Sequence, residues 1–205
     1  MKYIIMCGGE YKTWETPRQL TDICGEPLVR RTIRLLWENG VDDINISSND
    51  PIFEQFGVPV LKHENHYTAD YSGITDGYWC EAFYPTDEPT CYIFGDVVFT
   101  PKAIKTIVET ETDDIEFFAS APPFAPGYRK NWAEPFALKV VNTEHLKNAI
   151  SLTKHYADQG LFKRKPIMWE LWQVIQGAPI NHIDYKSYTV INDETCDIDD
   201  PNEIS

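Results

Sequence analysis

The stretch KYIIMCGGEYKTWETPRQL, residues 2–20, decides the fold. It opens with a short continuous apolar run that ends at Gly8-Gly9, a pattern typical of a buried strand in a parallel sheet. Glycines at that point free backbone amides to face an anion and let a phosphate approach closely. Lys12 and Arg18 would then be cations on the same loop. Because neither a Walker A motif nor G-x-G-x-x-G is present, these residues leave a phosphate loop and a plain turn equally open.

Strands and helices alternate along the rest of the chain, which predicts an α/β fold with a mostly parallel sheet. Strands crowd together after residue 115, so we expect a mixed sheet and a single domain. The predicted helices cover 26–40, 71–83 (begun at Ser72), 101–110, 142–160 and 165–177. The predicted strands lie within 2–7, 41–50, 59–63, 90–99, 115–121, 135–141, 179–185 and 187–192.

The charge and the cysteines exclude several classes of protein. The net charge of −14 over 205 residues argues against binding to nucleic acid or to an anionic membrane, since both need a basic surface. A local basic patch or a divalent cation still admits an anionic small substrate. The five cysteines are scattered without metal-ligand spacing, which argues against a disulfide framework or a zinc site. With no apolar run long enough for a membrane span, we expect a cytoplasmic protein.

Carboxylates follow two predicted strands. Asp96 ends the apolar run YIFG, and Asp197 and Asp199 stand at strand spacing in CDIDDPNEI. Ligands in open α/β sheets bind beyond the carboxyl ends of the strands, and carboxylate oxygens there suit Mg²⁺. Taken singly, an aspartate such as Asp96 is more often a turn residue, and the aspartate pair is more often a solvated acidic terminus or a helix cap before Pro201. A metal site would need all of them to meet at one edge of the sheet.

The order of these motifs resembles the nucleoside-triphosphate transferases, the group of sugar-phosphate nucleotidyltransferases and small cytidylyltransferases that includes the MobA-like NTP transferases. Pro17-Arg18 stands where the family has Pro-Lys, and CGEPLVRRTI is similar to its Gly-Lys-Pro-Leu helix start. IFGDVVF and CDIDDPNEI are similar to its Gly-Asp metal motif and its closing acidic segment. The resemblance implies a three-layer α/β/α sandwich, a Rossmann-like fold of the GT-A type. Tyr11 replaces the third glycine of the family loop.

The resemblance also implies an activity. A phosphate oxygen of an acceptor would attack the α-phosphorus of a nucleoside triphosphate, with CTP favoured because the chain is as compact as the small cytidylyltransferases. The acceptor would be a sugar phosphate or alcohol phosphate, and pyrophosphate would leave. The implied parts are nucleotide binding over about 1–115, acceptor binding over about 116–190 and an acidic metal-binding segment at 193–205. The sequence does not decide the oligomeric state, and a homodimer is kept as one option.

Site residues follow from the same resemblance. The implied catalytic residues are Lys12, Arg18 and Asp96. The implied Mg²⁺ ligands are Asp96, Asp197 and Asp199. The implied nucleotide-binding residues are Cys7, Gly8, Gly9, Glu10, Ser72, Gly73 and Asp76.

The acceptor side is predicted from SAPPFAPGYRKNWAEPFALKV, residues 120–140. Tyr128, Trp132 and Glu134 could bind a sugar, or could hold a trimethylammonium group by cation–π attraction. A loop that only covers the sheet with buried aromatics explains the same residues. Two other functions stay open: a GT-A-type glycosyltransferase that uses a sugar nucleotide, and an inactive nucleotide-binding regulatory module.

Overall fold

A computed structural model describes residues 1–128 and 130–199. Arg129 and positions 200–205 of the predicted acidic segment lie outside the described residues. The helices are α1 (Leu28–Glu38), α2 (Pro101–Glu109), α3 (Thr143–Asp158) and α4 (Met168–Gln176), with 3-10 turns at Arg18–Leu20, Pro51–Phe56 and Trp79–Ala82. The strands are β1 (Lys2–Met6), β2 (Glu10–Tyr11), β3 (Asp22–Ile23), β4 (Glu26–Pro27), β5 (Ile44–Ser47), β6 (Val60–Leu61), β7 (Thr68–Asp70), β8 (Gly73–Asp76), β9 (Thr90–Phe94), β10 (Val97–Val98), β11 (Ile115–Ala119), β12 (Pro135–Val140), β13 (Thr189–Val190) and β14 (Cys196–Asp197).

The described residues form a seven-stranded central sheet in the order β13-β11-β12-β9-β1-β5-β6. The apolar run that opens the chain becomes β1, and it lies between the parallel strands β5 and β9. Ile5 pairs with Ile46 on one side and with Ile93 on the other, and all three side chains are buried. Continuous apolar strands form here because both faces of the sheet are covered.

The sheet becomes mixed after β9, as the crowded strands predicted. Strand β12 runs antiparallel to both β9 and β11, and β13 pairs with β11 in parallel. Helix α1 packs on α2 and α3 packs on α4, in the two helical layers of a three-layer α/β/α sandwich. The predicted fold class is confirmed. One continuous cluster of buried apolar side chains runs from Tyr3 to Ile191.

The two N-terminal helices form for reasons visible in the sequence. In α1, Val29, Ile33 and Leu36 recur at helical spacing and are buried. Trp37 lies one position round the helix from Leu36, outside the buried face, and it is 53% exposed. Helix α2 begins with Thr100 as its N-cap, whose hydroxyl accepts from the amide of Ala103, and with Pro101 at the first position.

The helix predicted over 71–83 is wrong. Residues 68–76 form the antiparallel hairpin β7–β8 instead. Gly73 and Gly77 have φ of +109° and +70°, a backbone conformation that no α-helix contains. A Cβ at Gly77 would lie 2.6 Å from the Cα of Tyr67. The chain therefore passes close to the backbone of Tyr67 at this point, and it does so in a turn that requires glycine.

The strand predicted over 179–185 is also wrong, whereas β13 falls within the predicted 187–192. The side-chain amide of Gln173 on α4 donates to the carbonyls of Pro179 and His182. These two hydrogen bonds hold residues 179–182 against α4, so the carbonyls of Pro179 and His182 do not pair with a strand of the sheet.

Three successive strand ends lie side by side at one edge of the sheet. The amide of Cys7 donates to Ser47, and the amide of Gly95 donates to Met6. The residues that follow β1, β5 and β9 are therefore neighbours, and this is the edge where ligands bind in open α/β sheets. Within the described residues, no helix has the length and apolar character needed to cross a membrane.

Candidate active site

The glycine pair after β1 forms an open turn. Gly9 has φ of +80°, which favours glycine. A Cβ at Gly8 would lie 2.7 Å from Nδ2 of Asn65, and one at Gly9 would lie 2.6 Å from the ring of Tyr67. Neither glycine amide donates a hydrogen bond to any described residue. Two backbone donors are therefore available to a bound ligand, and the close packing requires glycine at both positions.

This turn lines a cavity of about 810 Å³. The cavity extends from the loop of residues 10–19 to the ends of β5 and β6. Its walls carry Lys12, an exposed residue that forms no ion pair with any described residue. The other lining residues are Cys7, Gly8, Gly9, Glu10, Tyr11, Trp14, Glu15, Thr16, Pro17, Arg18, Gln19, Ser48, Asn49, Asp50, Phe53, Asn65, His66, Tyr67, Thr68 and Asp76.

Tyr11, at the place of the family's third glycine, fastens the loop. Strand β2 pairs in parallel with β7, and the hydroxyl of Tyr11 donates to the carbonyl of Asp70 over 3.1 Å. Its ring faces the guanidinium of Arg18, whose central carbon lies 4.7 Å from the ring centroid. Tyr11 thus links this loop both to β7 and to the guanidinium of Arg18.

Arg18 closes this loop onto the acidic strand ends. Nη2 lies 2.6 Å from Oδ2 of Asp96, and Nη1 donates to Oδ1 of Asp199 over 3.2 Å. Nη1 also donates to the carbonyl of Ile198 over 3.0 Å. Burial lowers the pKa of this guanidinium, but the surrounding carboxylates, that of Asp96 first, raise it overall and keep the group charged.

The C-terminal segment carries its aspartates to the same place. Strand β14 pairs with β10, so that Asp197 stands opposite Val97. The amide of Ile198 donates to the carbonyl of Asp96 over 2.9 Å. The indole of Trp14 donates to the carbonyl of Asp199 over 3.2 Å and fastens the segment to the loop. Asp96, Asp197 and Asp199 therefore meet, although about a hundred residues separate the first from the others.

Glu134 adds a fourth carboxylate to this group. It is 1% exposed, and its Oε1 accepts from the ammonium of Lys130. Its Oε2 is buried and has no hydrogen-bond partner among the described residues. Burial raises the pKa of Asp197 well above its usual range, and the charges of Asp199, Glu134 and Asp96 raise it further.

The described residues contain no group of three His, Cys, Asp or Glu side chains arranged to hold a metal ion by themselves. Asp96 and Asp199 are both paired with the guanidinium of Arg18, which neutralises part of their charge. The donor set is nevertheless one of hard oxygens, which suits Mg²⁺. That ion usually takes one or two carboxylates and completes its shell with water and phosphate oxygens.

A second cavity, of about 330 Å³, opens on the other side of Arg18. It shares Gly8, Tyr11, Arg18, Gln19 and Tyr67 with the first cavity. Aromatic rings form much of its wall, and Asp96, Asp197 and Asp199 form its acidic end. Its aromatic lining residues are Tyr11, Tyr67, Trp79, Phe94, Trp132, Trp169 and Tyr185.

The predicted nucleotide-side residues are divided between the two cavities. Cys7, Gly9, Glu10 and Asp76 line the first cavity, Gly73 lines the second, and Gly8 lines both. Ser72 lines neither. Its amide and hydroxyl both donate to Asp70, as expected of a turn residue.

Three residues were predicted to bind the acceptor, and of these three Trp132 is the one that lines the second cavity. The hydroxyl of Tyr128 bonds with that of Ser120, and Glu134 faces Asp197 and Lys130. Neither Tyr128 nor Glu134 lines this cavity, and their direct contact with the acceptor stays a prediction.

The sequence interpretation missed Gln19, Asn65 and Tyr67. Tyr67 borders both cavities, and burial raises its pKa to about 12, so that its hydroxyl stays protonated. Both amide atoms of Asn65 are buried without a partner among the described residues. No motif distinguishes these residues. Gln19 lies in the loop after β1, whereas Asn65 and Tyr67 reach the glycine turn only through the course of the chain after β6.

Residues 3–165 match the family model described as the MobA-like NTP transferase domain. No curated protein matches the sequence. The match covers most of the chain and includes the glycine turn, Arg18, Asp96 and the acceptor-side loop. It ends before the C-terminal aspartates.

Solved structures share the fold at low identity. The CTP:phosphocholine cytidylyltransferase from Streptococcus pneumoniae is 15% identical, with a TM-score of 0.50 over 98% of this chain and 95% of that one. The inositol-1-phosphate CTP transferase from T. maritima is 15% identical, with a TM-score of 0.57 over 100% and 91%. A Bacillus anthracis protein with a provisional assignment as a glucose-1-phosphate thymidylyltransferase is 14% identical, with a TM-score of 0.50 over 96% and 89%. At these identities the likeness shows the fold alone.

Proposed function

The chain belongs to the MobA-like NTP transferase family, and we propose on that basis that it transfers a nucleoside monophosphate from a nucleoside triphosphate to a phosphorylated small molecule. A phosphate oxygen of the acceptor forms the new bond to the α-phosphorus. The bond from that phosphorus to the bridging oxygen of the β-phosphate breaks, and pyrophosphate leaves with the bonding electrons. The protein needs to position two polyanions and to neutralise charge as it develops.

One observation carries this proposal: two cavities meet at Arg18 and share the wall formed with Gly8, Tyr11, Gln19 and Tyr67. A group transfer between two substrates needs adjoining sites whose common boundary holds the reacting phosphate. Here that boundary carries the glycine turn, a buried cation and the carboxylate of Asp96.

The first cavity supports a triphosphate. The unpaired amides of Gly8 and Gly9 can donate to phosphate oxygens. The exposed ammonium of Lys12 can stabilise the negative charge of the leaving pyrophosphate. Arg18 carries a planar fork that can bind two phosphate oxygens at once. Arg18 is paired with Asp96 and Asp199. To bind phosphate, its guanidinium must therefore either give up one of these carboxylates or bind the phosphate and the carboxylates together.

The acidic cluster supports the predicted dependence on Mg²⁺. The Oε2 of Glu134 is buried without a hydrogen-bond partner among the described residues, and burial together with the neighbouring carboxylates raises the pKa of Asp197, so that a cation bound here would be stabilised. We propose that Asp96, Asp197 and Asp199 provide the oxygens around this ion, as their motifs imply. When bound, Mg²⁺ neutralises charge on the reacting phosphate groups. The protein's own part is to hold these carboxylates at the boundary of the two cavities.

The second cavity supports an acceptor whose phosphate points to the acidic end and whose body faces aromatic rings. Trp132 and Trp169 offer flat faces for a sugar ring or for a quaternary ammonium group. Both a sugar phosphate and an alcohol phosphate fit this description. CTP stays the favoured donor, and the two CTP enzymes among the similar folds support that preference only by analogy.

A pyrophosphate-release assay tests the proposal. Each of the four nucleoside triphosphates is mixed with a panel of sugar phosphates and alcohol phosphates in the presence of Mg²⁺. We expect pyrophosphate only when a triphosphate and an acceptor are both present. Release of a nucleoside diphosphate from a sugar nucleotide would instead identify a glycosyltransferase. Nucleotide binding without turnover across the panel would contradict the proposed catalysis and favour a regulatory module.

A further inference from the structure

Arg164 lies in the segment between α3 and α4, and the proposed reaction gives it no role. It lines the second cavity, and together with Ile74 it also lines a third cavity of about 490 Å³. Arg18 lines the second cavity as well, but it shares its wall with the first cavity and not with the third. The two arginines therefore mark different boundaries of the second cavity.

A buried carboxylate fixes the position of this guanidinium. Glu170 is 4% exposed, and its Oε1 accepts from Nε of Arg164 over 2.6 Å. Its Oε2 accepts from the amide of Ile167 over 2.9 Å at the start of α4. The backbone of the segment is held too, since the amide of Lys163 donates to the side chain of Asn181. Arg164 is therefore preorganised, which lowers the cost of ordering it when a ligand binds.

The remaining donors of the guanidinium are free to bind a ligand. Glu170 engages Nε alone, and neither terminal nitrogen of Arg164 donates to a described residue. The side chain of Arg164 is 55% exposed, so a ligand can reach it. Lys165 lines the third cavity beside it, and this exposed lysine forms no ion pair with a described residue.

The acidic groups of the third cavity do not occupy these donors. Asp76 and Asp158 both line it, but neither forms an ion pair with Arg164 or with Lys165. Asp158 accepts from the hydroxyl of Tyr78, and Asp76 accepts from a backbone amide of its own turn. Within the described part of the chain, a guanidinium edge and an ammonium therefore lack anionic partners at this boundary.

The two terminal nitrogens of an arginine form a planar fork that suits a group with two anionic oxygens, such as a carboxylate or a phosphate. The proposed function puts the reacting phosphate of the acceptor at the other boundary, beside Arg18. An anionic group at Arg164 is therefore a second one, carried by the part of the acceptor that lies away from the triphosphate.

We propose that the acceptor carries a second anionic group besides its reacting phosphate, and that the terminal nitrogens of Arg164 bind this group where the second and third cavities meet. Arg164 then determines specificity, and Glu170 is a positioning residue that holds Nε. This inference rests on the proposed function for the place of the reacting phosphate.

Calorimetric titration of the full chain with matched acceptors tests this. Glycerol 3-phosphate is compared with 3-phosphoglycerate, and glucose 1-phosphate with glucuronic acid 1-phosphate, each pair differing by a hydroxymethyl and a carboxylate group. Glucose 1,6-bisphosphate tests a phosphate as the second group. We expect at least one acceptor with a second anion to bind about tenfold more tightly than its uncharged counterpart. Equal affinities throughout, or no binding, overturn the proposal.

Variants locate the preference. We expect Arg164→Gln to weaken binding of the preferred acceptor by about tenfold and to leave the affinity for its uncharged counterpart unchanged. Arg34→Gln is the matched control, because Nε of Arg34 is also paired with a carboxylate, that of Glu26, and Arg34 lines none of the three cavities. A preference that persists in Arg164→Gln overturns the proposal.

Glu170→Gln separates positioning from folding. We expect this variant to reduce the preference for the second anion and to leave the affinity for the uncharged counterpart unchanged. Equal weakening of both acceptors would mean that Glu170 only stabilises the fold, and would overturn its positioning role.

Pyrophosphate release is measured separately with the same acceptors. Preferred binding of an acceptor with a second anion, without pyrophosphate release, would contradict the proposed function alone. Pyrophosphate release with equal kcat/KM for both members of every pair would contradict this inference alone.

Discussion

Nη2 of Arg18 lies 2.6 Å from Oδ2 of Asp96, and this contact joins the loop after β1 to the end of β9. The same guanidinium reaches Asp199 and the carbonyl of Ile198 in the C-terminal segment. Three parts of the chain that are far apart in sequence thus meet at one cation. Any phosphate bound at the boundary of the two cavities must meet this group.

We expect Arg18→Lys to lower kcat/KM for pyrophosphate release by about a hundredfold, because an ammonium keeps the charge but loses the planar fork. Arg34→Lys is the control, since Arg34 forms its ion pairs with Glu26 and Glu38 on the surface of α1. Steady-state assays with saturating acceptor measure both. Turnover of Arg18→Lys equal to that of Arg34→Lys would show that the fork is not used.

Asp96→Asn should also cost about two orders of magnitude in kcat, because the amide cannot balance Arg18 or bind a cation as a carboxylate does. Asp113→Asn is the matched control: Asp113 is exposed and has no described partner. Circular dichroism verifies that both variants are folded. Near-normal turnover in a folded Asp96→Asn variant would contradict the assignment of Asp96 to the site.

Trp132→Ala should raise the KM of the acceptor by about tenfold and leave the KM of the nucleoside triphosphate unchanged, because Trp132 lines only the second cavity. Trp37→Ala is the control, since Trp37 is 53% exposed and Trp132 is 48% exposed. Initial rates at varied acceptor concentration provide the measurement. Equal effects on both KM values would contradict the prediction that Trp132 contacts the acceptor and not the nucleoside triphosphate.

Gly95→Ala should lower the free energy of unfolding by about 2 kcal/mol or more, because its methyl group would lie 2.3 Å from the carbonyl oxygen of Met6 in the neighbouring strand. Gly127→Ala provides the comparison: its Cβ meets nothing within 4 Å, but its φ of +82° costs about 1 kcal/mol. Urea denaturation measures both. A smaller loss for Gly95→Ala than for Gly127→Ala would contradict the close approach of β1 to this turn.

Asp193 should make stability depend on pH. Burial raises the pKa of its carboxyl, but hydrogen bonds from Thr100 and Thr195 outweigh burial and lower it below its ordinary 3.8. A lowered folded-state pKa stabilises the protein above the ordinary pKa, and this contribution disappears as pH falls through the lowered value. We expect Asp193→Asn to cost about 1 kcal/mol at pH 7. The difference from the unsubstituted chain should shrink in urea titrations as the pH falls below the ordinary value of 3.8, and a constant difference would contradict the assignment.

Local patterns were sufficient for much of the fold. The apolar run before Gly8, the helical spacing of Val29, Ile33 and Leu36, and the Thr100-Pro101 start of α2 depend on near neighbours in the chain. The failures have a tertiary cause. Residues 71–83 turn because Gly77 passes the backbone of Tyr67, and 179–185 stay out of the sheet because Gln173 binds their carbonyls.

The candidate site divides in the same way. By itself the sequence determined which residues are available: a glycine turn at the end of the first strand, cations on the following loop and carboxylates after later strands, since residue type and short-range periodicity are local properties. Only the tertiary structure decided their pairing. Arg18 lies between Asp96 and Asp199, because strand order and the β10–β14 pairing bring distant segments to one edge of the sheet.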